Sequence, residues 1–343
     1  MKLNKSFKIL EKQIGDPSRP YVIAEAGSNF NQSLDTAKKL IDVAANSGAD
    51  AVKFQLFRAD VLYPSGGEMY DLFKSIELNA EWLPGLSDHA KNQSLHFMAS
   101  AFDVNSIEAL QEADVPAYKI ASSEAINYPL LIEIAKIGKP LFISTGMCTL
   151  VDIEQIIDVC QNLGNHEIAL LQCGAQYPLP EDLANIRVIP ELKKRYSCPV
   201  GFSDHTLGLN TAITAVGAGA NIFEKHFTLD KAADGPDHFY ALEPNELKDY
   251  IQAIHQASQS LGDGEKNLLE KERRLGRRDG IYAAKQLKAG SKLLEEDIEI
   301  KRPAIGISGR YKDAIIGVRL DHDVSVGDPI EWDSLAGQNS NES

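Results

Sequence analysis

The hydrophobic pattern of the first 226 residues consists of short continuous apolar runs separated by stretches of helical period. The runs are Tyr21–Glu25, Ala51–Gln55, Leu95–Ser100, Ala117–Ala121, Pro140–Thr145, Glu167–Gln172, Pro199–Ser203 and Ala220–His226. Most are apolar at successive positions rather than alternate ones, which is how parallel strands buried on both faces read. Between them, Ser33–Ser47 sets Leu34, Ala37, Leu40, Ile41 and Ala44 on one helical face, with Ser33 as N-cap and Gly48 as stop. Asn105–Ala113, Pro129–Ile137, Leu150–Leu163 and Leu209–Gly217 repeat the pattern, and Pro244–Leu261 supplies a last helix. Strand followed by helix, repeated over about 250 residues, predicts right-handed βαβ units closed into a (β/α)8 TIM barrel. An open doubly wound sheet is the alternative, but no G-x-G-x-x-G follows the first strand.

The pattern changes after Ile281. Short apolar runs (IYAAKQL, IEIKRPAI, AIIGVRL) alternate with Gly and Asp turns, which predicts a small β-rich domain with little core of its own. The expected organisation is a barrel over 1–262 with an N-terminal extension, a linker over 263–280, the small domain over 281–337 and a disordered polar tail over 338–343.

Composition narrows the function classes. The chain has 343 residues, 43% hydrophobic and 24% charged, with a formal net charge of −14. That charge argues against nucleic acid as a partner, although a local lysine cluster can still bind a small anion. The basic run Lys271–Arg278 reads as a solvated interdomain segment. Cys148, Cys160, Cys173 and Cys198 form no C-x-x-C pair, and the N-terminus lacks the apolar stretch of a signal peptide. No apolar run reaches membrane-spanning length, so a cytoplasmic protein without a membrane partner is expected.

Candidate chemistry gathers at the strand ends, where barrel enzymes place their catalytic side chains. The first strand ends at Glu25, and the second carries Lys53 and Gln55 on one side. A lysine inside a barrel calls for an anion or a carboxylate. Strand four delivers Lys119, then Ser122 and Glu124; strands three and five end in Ser100 and Ser144. Two lysines with several hydroxyls on one rim suit a phosphorylated anion. Lys119 alone would equally suit a Schiff-base aldolase. A lone histidine is more often a satisfied core residue, but here His205 and His226 end successive strands, with Ser203, Asp204 and Glu224 beside them. Two imidazoles leave coordination positions open for water or substrate, the style of a catalytic metal site.

These residues lie in motifs that resemble the sialic acid synthases: IAEAGSNFNQSLDTAKKLIDVAANSGADAVKFQ, AYKIASSEAINYPLL, ISTGM, YPLPEDLANI, GFSDHTLG, EKHFT and GPDHFYALEP, in order from about residue 18 to 335. The resemblance implies a transferase that condenses phosphoenolpyruvate with an N-acetylated hexosamine. It implies a phosphoenolpyruvate site of Lys53, Ser100, Lys119, Ser122, Ser144 and Ser203. It implies a divalent cation, Mn2+ or Mg2+, on His205 and His226. Glu25, Gln55, Glu124, Tyr177 and Asp237 would line the sugar pocket, with Glu25 or Glu124 handling protons. The C-terminal part resembles the family's antifreeze-like (SAF) domain, which caps the other subunit's site in a domain-swapped homodimer. Arg302 matches the arginine that reaches toward the N-acetyl group. The chain departs from the family at Ala175, where Asn or Ser is usual, and at Ala304-Ile305-Gly306, which replaces a glycine-rich turn. The sugar could be N-acetylmannosamine or the diacetamido trideoxy hexose of legionaminate and pseudaminate synthases. A non-catalytic sugar-binding barrel is the reading from another class.

Overall fold

A short antiparallel hairpin precedes the main sheet: β1 (Phe7–Ile9) and β2 (Lys12–Ile14) pair with Phe7 opposite Ile14. The computed structural model describes residues 3–16, 18–274 and 276–337. The tail expected over 338–343 lies outside the described residues, as does Leu275 of the basic run. The chain divides into two compact units, Met1–Asp263 and Gly264–Ser343.

In the first unit eight parallel strands close on themselves. They are β3 (Tyr21–Gly27), β4 (Ala51–Leu56), β5 (His96–Ala101), β6 (Tyr118–Ile120), β7 (Leu141–Ser144), β8 (Ile168–Cys173), β9 (Val200–Asp204) and β10 (Ile222–His226). They form a closed barrel in chain order, with β10 returning to β3. All eight expected strands are present, with ends shifted by a residue or two, the usual uncertainty of element boundaries. The first helix, Leu34–Ser47, starts where Ser33 accepts from Thr36 N and stops at Gly48, whose left-handed φ of 86° suits a residue without Cβ.

The two faces of the barrel sheet belong to different cores. Side chains such as Val22, Val52 and Phe97 pack outward with Leu40 and Ile41 of the first helix. The barrel floor holds Tyr21, Ile23, Met98, Phe142 and Leu171, and the hairpin adds Phe7, Ile9 and Ile14 to that cluster. Burying three such side chains contributes on the order of 5 kcal/mol, enough to hold the hairpin under the floor.

Some elements carry little sequence signal. Helix Glu68–Ser75 fully buries none of its residues, although its Phe73 ring packs on Phe57 and Tyr63. Helix Val188–Tyr196 buries only Ile189 and Leu192, and its Pro190 sits in the first turn, where no intrahelical N–H bond is lost. No helix among the described residues is long and apolar enough to cross a membrane.

The second unit pairs β11 (Gly280–Ala283) with β12 (Ile298–Lys301) and adds isolated bridges such as Leu287 to Val324. The expectation of little core is corrected here. Ile281, Leu293, Ile307, Ile315 and Ile330 are buried in a cluster of this unit's own side chains. Backbone bonds between distant turns, such as Leu287 N to Val324 O at 2.9 Å, close the unit around this cluster.

Candidate active site

The strand register brings the polar ends together. His226 of β10, Glu25 of β3 and Lys53 of β4 are direct neighbours across three strands. The β3–β4 register shifts between Glu25 and Gly27, a bulge of the kind that re-aims side chains at barrel rims. Lys53 Nζ lies 2.7 Å from Glu25 Oε2 and 3.7 Å from Glu224 Oε2, and donates to Ser100 Oγ at 2.9 Å. Lys119 Nζ lies 3.6 Å from Glu224 Oε1 and donates to the Ile120 carbonyl at 3.2 Å. Ser203 Oγ donates to the same Glu224 oxygen at 2.9 Å. Both lysines and both glutamates are buried. Glu25 Oε1, Glu224 Oε2 and Ser144 Oγ have no hydrogen-bond partner among the described residues, so the cavity retains capacity to bind a polar guest.

The two carboxylates are driven apart. Burial pushes Glu25 up to about 7, against the pull of Lys53. Burial acts the same way on Glu224, but Lys119, Lys53 and the Ser203 hydroxyl overcome it and hold that carboxyl down at about 2. Burial also lowers Lys119, against the Glu224 carboxylate. Burial opposes the charge on Lys53 as well, yet Glu224 and Glu25 raise it. With Glu25 protonated, two cations face one carboxylate. The cavity is therefore a positive spot in a chain of net charge −14, suited to a small anion.

The histidines stand beside this cavity with ring centres 5.5 Å apart. His205 Nδ1 lies 2.7 Å from the Gly174 carbonyl, which requires a proton on Nδ1 and leaves Nε2 as the acceptor in the neutral ring. His226 Nδ1 lies 3.4 Å from Tyr240 Oη and 3.9 Å from Asp237 Oδ2, and Tyr240 donates to Asp237 Oδ1 at 2.8 Å. Burial, followed by the charges of His205 and Lys53, holds His226 well below the ordinary imidazole range, so it is neutral. At Gly27, with φ of 53°, a Cβ would come within 3.2 Å of Asp237 Oδ2 and 3.5 Å of His226 Nδ1, so glycine lets these groups approach. Neither Nε2 has a hydrogen-bond partner among the described residues. No cluster of three or more His, Cys, Asp or Glu suited to an ion occurs among the described residues. The pair fits a divalent cation only if water or substrate supplies the remaining ligands.

Eleven of the expected site residues line one narrow cavity: Glu25, Lys53, Gln55, Ser100, Lys119, Ser122, Ser144, Tyr177, Ser203, His205 and His226. Asp237 joins through His226 and Tyr240. Glu124 is not among the lining residues; its carboxylate accepts from Asn127 Nδ2 at 2.9 Å, a local contact three residues on. Arg302 belongs to the second unit and pairs with Asp279 at 3.0 Å. Ala175 is exposed beyond the end of β8. Three participants are additional. Glu224 bridges both lysines, Tyr240 links His226 to Asp237, and Cys173 Sγ sits 3.6 Å from Ser122 Oγ and 3.7 Å from His205 Nδ1. Inward alternation on β10 was the signal for Glu224, two residues before His226.

Comparison with known proteins places the chain in a family. Residues 40–266 match the NeuB family, and residues 278–336 match the SAF domain. An N,N'-diacetyllegionaminic acid synthase of Legionella pneumophila is 37% identical, covering 94% of this chain and 97% of its own. A pseudaminic acid synthase of Campylobacter jejuni is 32% identical, covering 93% of this chain and 98% of its own. The crystal structure of an N-acetylneuraminic acid (sialic acid) synthetase from Leptospira borgpetersenii superposes with a TM-score of 0.76 at 30% identity, over 80% of this chain and 96% of that one. The chain belongs to the NeuB family, the sialic acid synthases, and carries its barrel and SAF domain.

Proposed function

We propose that the chain condenses phosphoenolpyruvate with the open-chain form of an N-acetylated amino sugar and water, giving a nonulosonic acid and inorganic phosphate. The observation that carries this reading is the pair of buried lysines, Lys53 and Lys119, among serine hydroxyls and beside two imidazoles. Phosphoenolpyruvate presents a phosphate and a carboxylate on one small frame. The two ammonium groups suit those charges, and Ser100, Ser122, Ser144 and Ser203 offer hydroxyl donors at fixed positions.

His205 and His226 would hold the divalent cation, Mn2+ or Mg2+, which supplies Lewis-acid polarisation of the sugar aldehyde. The methylene carbon of phosphoenolpyruvate forms a bond to the aldehyde carbon, and the aldehyde oxygen takes a proton to become hydroxyl. Water adds at the carbon bearing phosphate, losing a proton. The carbon–oxygen bond to phosphate then breaks, leaving the ketone. Lys53 and Lys119, oriented before charge develops, hold the phosphate as it departs. Glu25, poised at about 7, can take or give a proton near neutrality, whereas Glu224 stays ionised and keeps the two lysines in place. Gln55, Tyr177 and Asp237 would bound the sugar, and Arg302 of a second copy would reach its N-acetyl group in a domain-swapped homodimer.

The greater identity to an N,N'-diacetyllegionaminic acid synthase, 37% against 30% for the N-acetylneuraminic acid synthetase of Leptospira borgpetersenii, favours a diacetamido trideoxy hexose as the sugar. The test is phosphate release from phosphoenolpyruvate with Mn2+ and each candidate sugar, with the product identified by mass. Sugar-dependent release of one phosphate per nonulosonic acid is expected. Borohydride trapping of a pyruvyl adduct on Lys119 would instead make the chain a Schiff-base aldolase and refute the reading.

A further inference from the structure

The layer between a barrel sheet and its helices is normally apolar. At β9 and β10 it contains a buried ion pair. Asp204 and Lys225 are direct neighbours across the two strands, and Asp204 Oδ2 lies 3.2 Å from Lys225 Nζ. Tyr250, from helix Pro244–Ser260, donates to the same oxygen at 3.0 Å, and its ring centre is 5.5 Å from the ammonium. Asp204 Oδ1 accepts from Thr206 N at 2.8 Å and from Thr206 Oγ1 at 2.7 Å. Lys225 completes the circuit by donating to the Thr206 carbonyl. Asp204, Thr206, Lys225 and Tyr250 are each at most 2% exposed, and none of their side-chain polar atoms is without a partner.

The network's place in the chain is informative. Asp204 and Thr206 flank His205, and Lys225 directly precedes His226. Side chains alternate along a strand, so the residues beside each inward imidazole are the ones that face outward. Four groups on the back of the sheet therefore fix the backbone on both sides of one histidine and immediately before the other. Stability alone does not explain such a choice, because apolar side chains of similar volume hold two layers together at least as well as a desolvated ion pair. An ion pair in which every side-chain polar atom has a partner adds directional contacts that apolar packing lacks, and so restricts the geometry.

We infer that Asp204, Thr206, Lys225 and Tyr250 are positioning residues that set the spacing and tilt of the His205 and His226 rings, and so the affinity of the pair for a divalent cation. The inference rests on the reading above that these histidines hold the cation.

The test uses the full chain and Mn2+, with binding followed by the electron paramagnetic resonance signal of the free ion and stability by melting in chelator. The double variant Asp204→Leu/Lys225→Met removes both charges at similar volume. It should fold but melt below the wild-type temperature without metal, because the Thr206 and Tyr250 donors lose their acceptor, and it should bind Mn2+ about 10-fold or more weakly, the scale of losing groups that orient a ligand. Wild-type affinity in the folded variant would overturn the inference. If the double variant does not fold, Tyr250→Phe decides: weaker Mn2+ binding at unchanged melting supports the network, and unchanged binding overturns it. If the wild type binds no Mn2+, or His226→Ala binds it equally well, the cation reading itself falls and the inference with it.

Discussion

Replacing Glu25 with glutamine removes a carboxyl that titrates near neutrality and leaves its volume in place. The folded chain holds this group at about 7, against 4.5 for an ordinary glutamate. Between those values the native state carries a proton that the unfolded state has lost. Stability therefore falls as pH rises through that window, the reverse of the usual carboxylate behaviour. At about 1.4 kcal/mol per unit, the difference amounts to about 3 kcal/mol, absent below pH 4.5 and complete above 7. Glutamine has no such slope, so the contribution of Glu25 appears in the difference between the two proteins. The stability of Glu25→Gln relative to wild type should thus grow by about 3 kcal/mol from pH 4.5 to 7 and then level off. The assay is urea denaturation of metal-free protein across that range. Trp82 lies in the barrel unit and Trp332 in the other, so both proteins carry Trp332→Phe and the fluorescence reports the barrel alone. A difference that does not vary with pH, or one that shrinks as pH rises, would refute the assignment of a buried, neutral Glu25. The same substitution should remove a limb with its midpoint near 7 from the pH profile of turnover.

Chelation should abolish phosphate release and Mn2+ should restore it, while His205→Ala or His226→Ala should lower turnover by about 100-fold or more, read in the same assay. Lys119→Ala should raise the Michaelis constant for phosphoenolpyruvate more than that for the sugar if its ammonium holds the phosphate as proposed; equal changes would argue against that role. Mixing the inactive variants His226→Ala and Arg302→Ala should restore activity through hybrid dimers with one site free of both lesions. Hybrids confirmed by mass that remain inactive would show that the C-terminal unit does not complete a partner's site.

The barrel was legible because each of its strands is covered on both faces and so reads as an apolar run broken by a polar end. Most of the cavity was legible for the same reason: a Lys, Ser or His closing such a run has no place in an ordinary core. The hairpin was not legible, since Phe7-Lys8-Ile9 and Lys12-Gln13-Ile14 are too short to establish a period. Glu124 follows strand four in a 3-10 turn over Ser122–Glu124, where its carboxylate accepts from Asn127, a local contact that the sequence pattern did not show. The full part played by Glu224 depended on register, which sets it opposite Ser203 and between two lysines from other strands. Lys225 gave no readable signal, and Asp204 was visible only as a neighbour of His205. A charge next to a strand-end histidine is ordinary in sequence and becomes unusual only when a helix is seen to cover it.

The hairpin beneath the barrel floor also bears on how the chain is made. Phe7, Ile9 and Ile14 share their cluster with Leu171 and Ile222, and β3 finds one of its two neighbours only in β10. On a ribosome adding about 5–20 residues per second, roughly 200 residues separate these partners, a delay on the order of 10–40 s. Throughout that time one edge of β3 has no native partner and the cluster above the hairpin is incomplete. A nascent chain stalled before Ile222 is therefore the sticky form of this protein, with β3 as the open edge to which another chain could add.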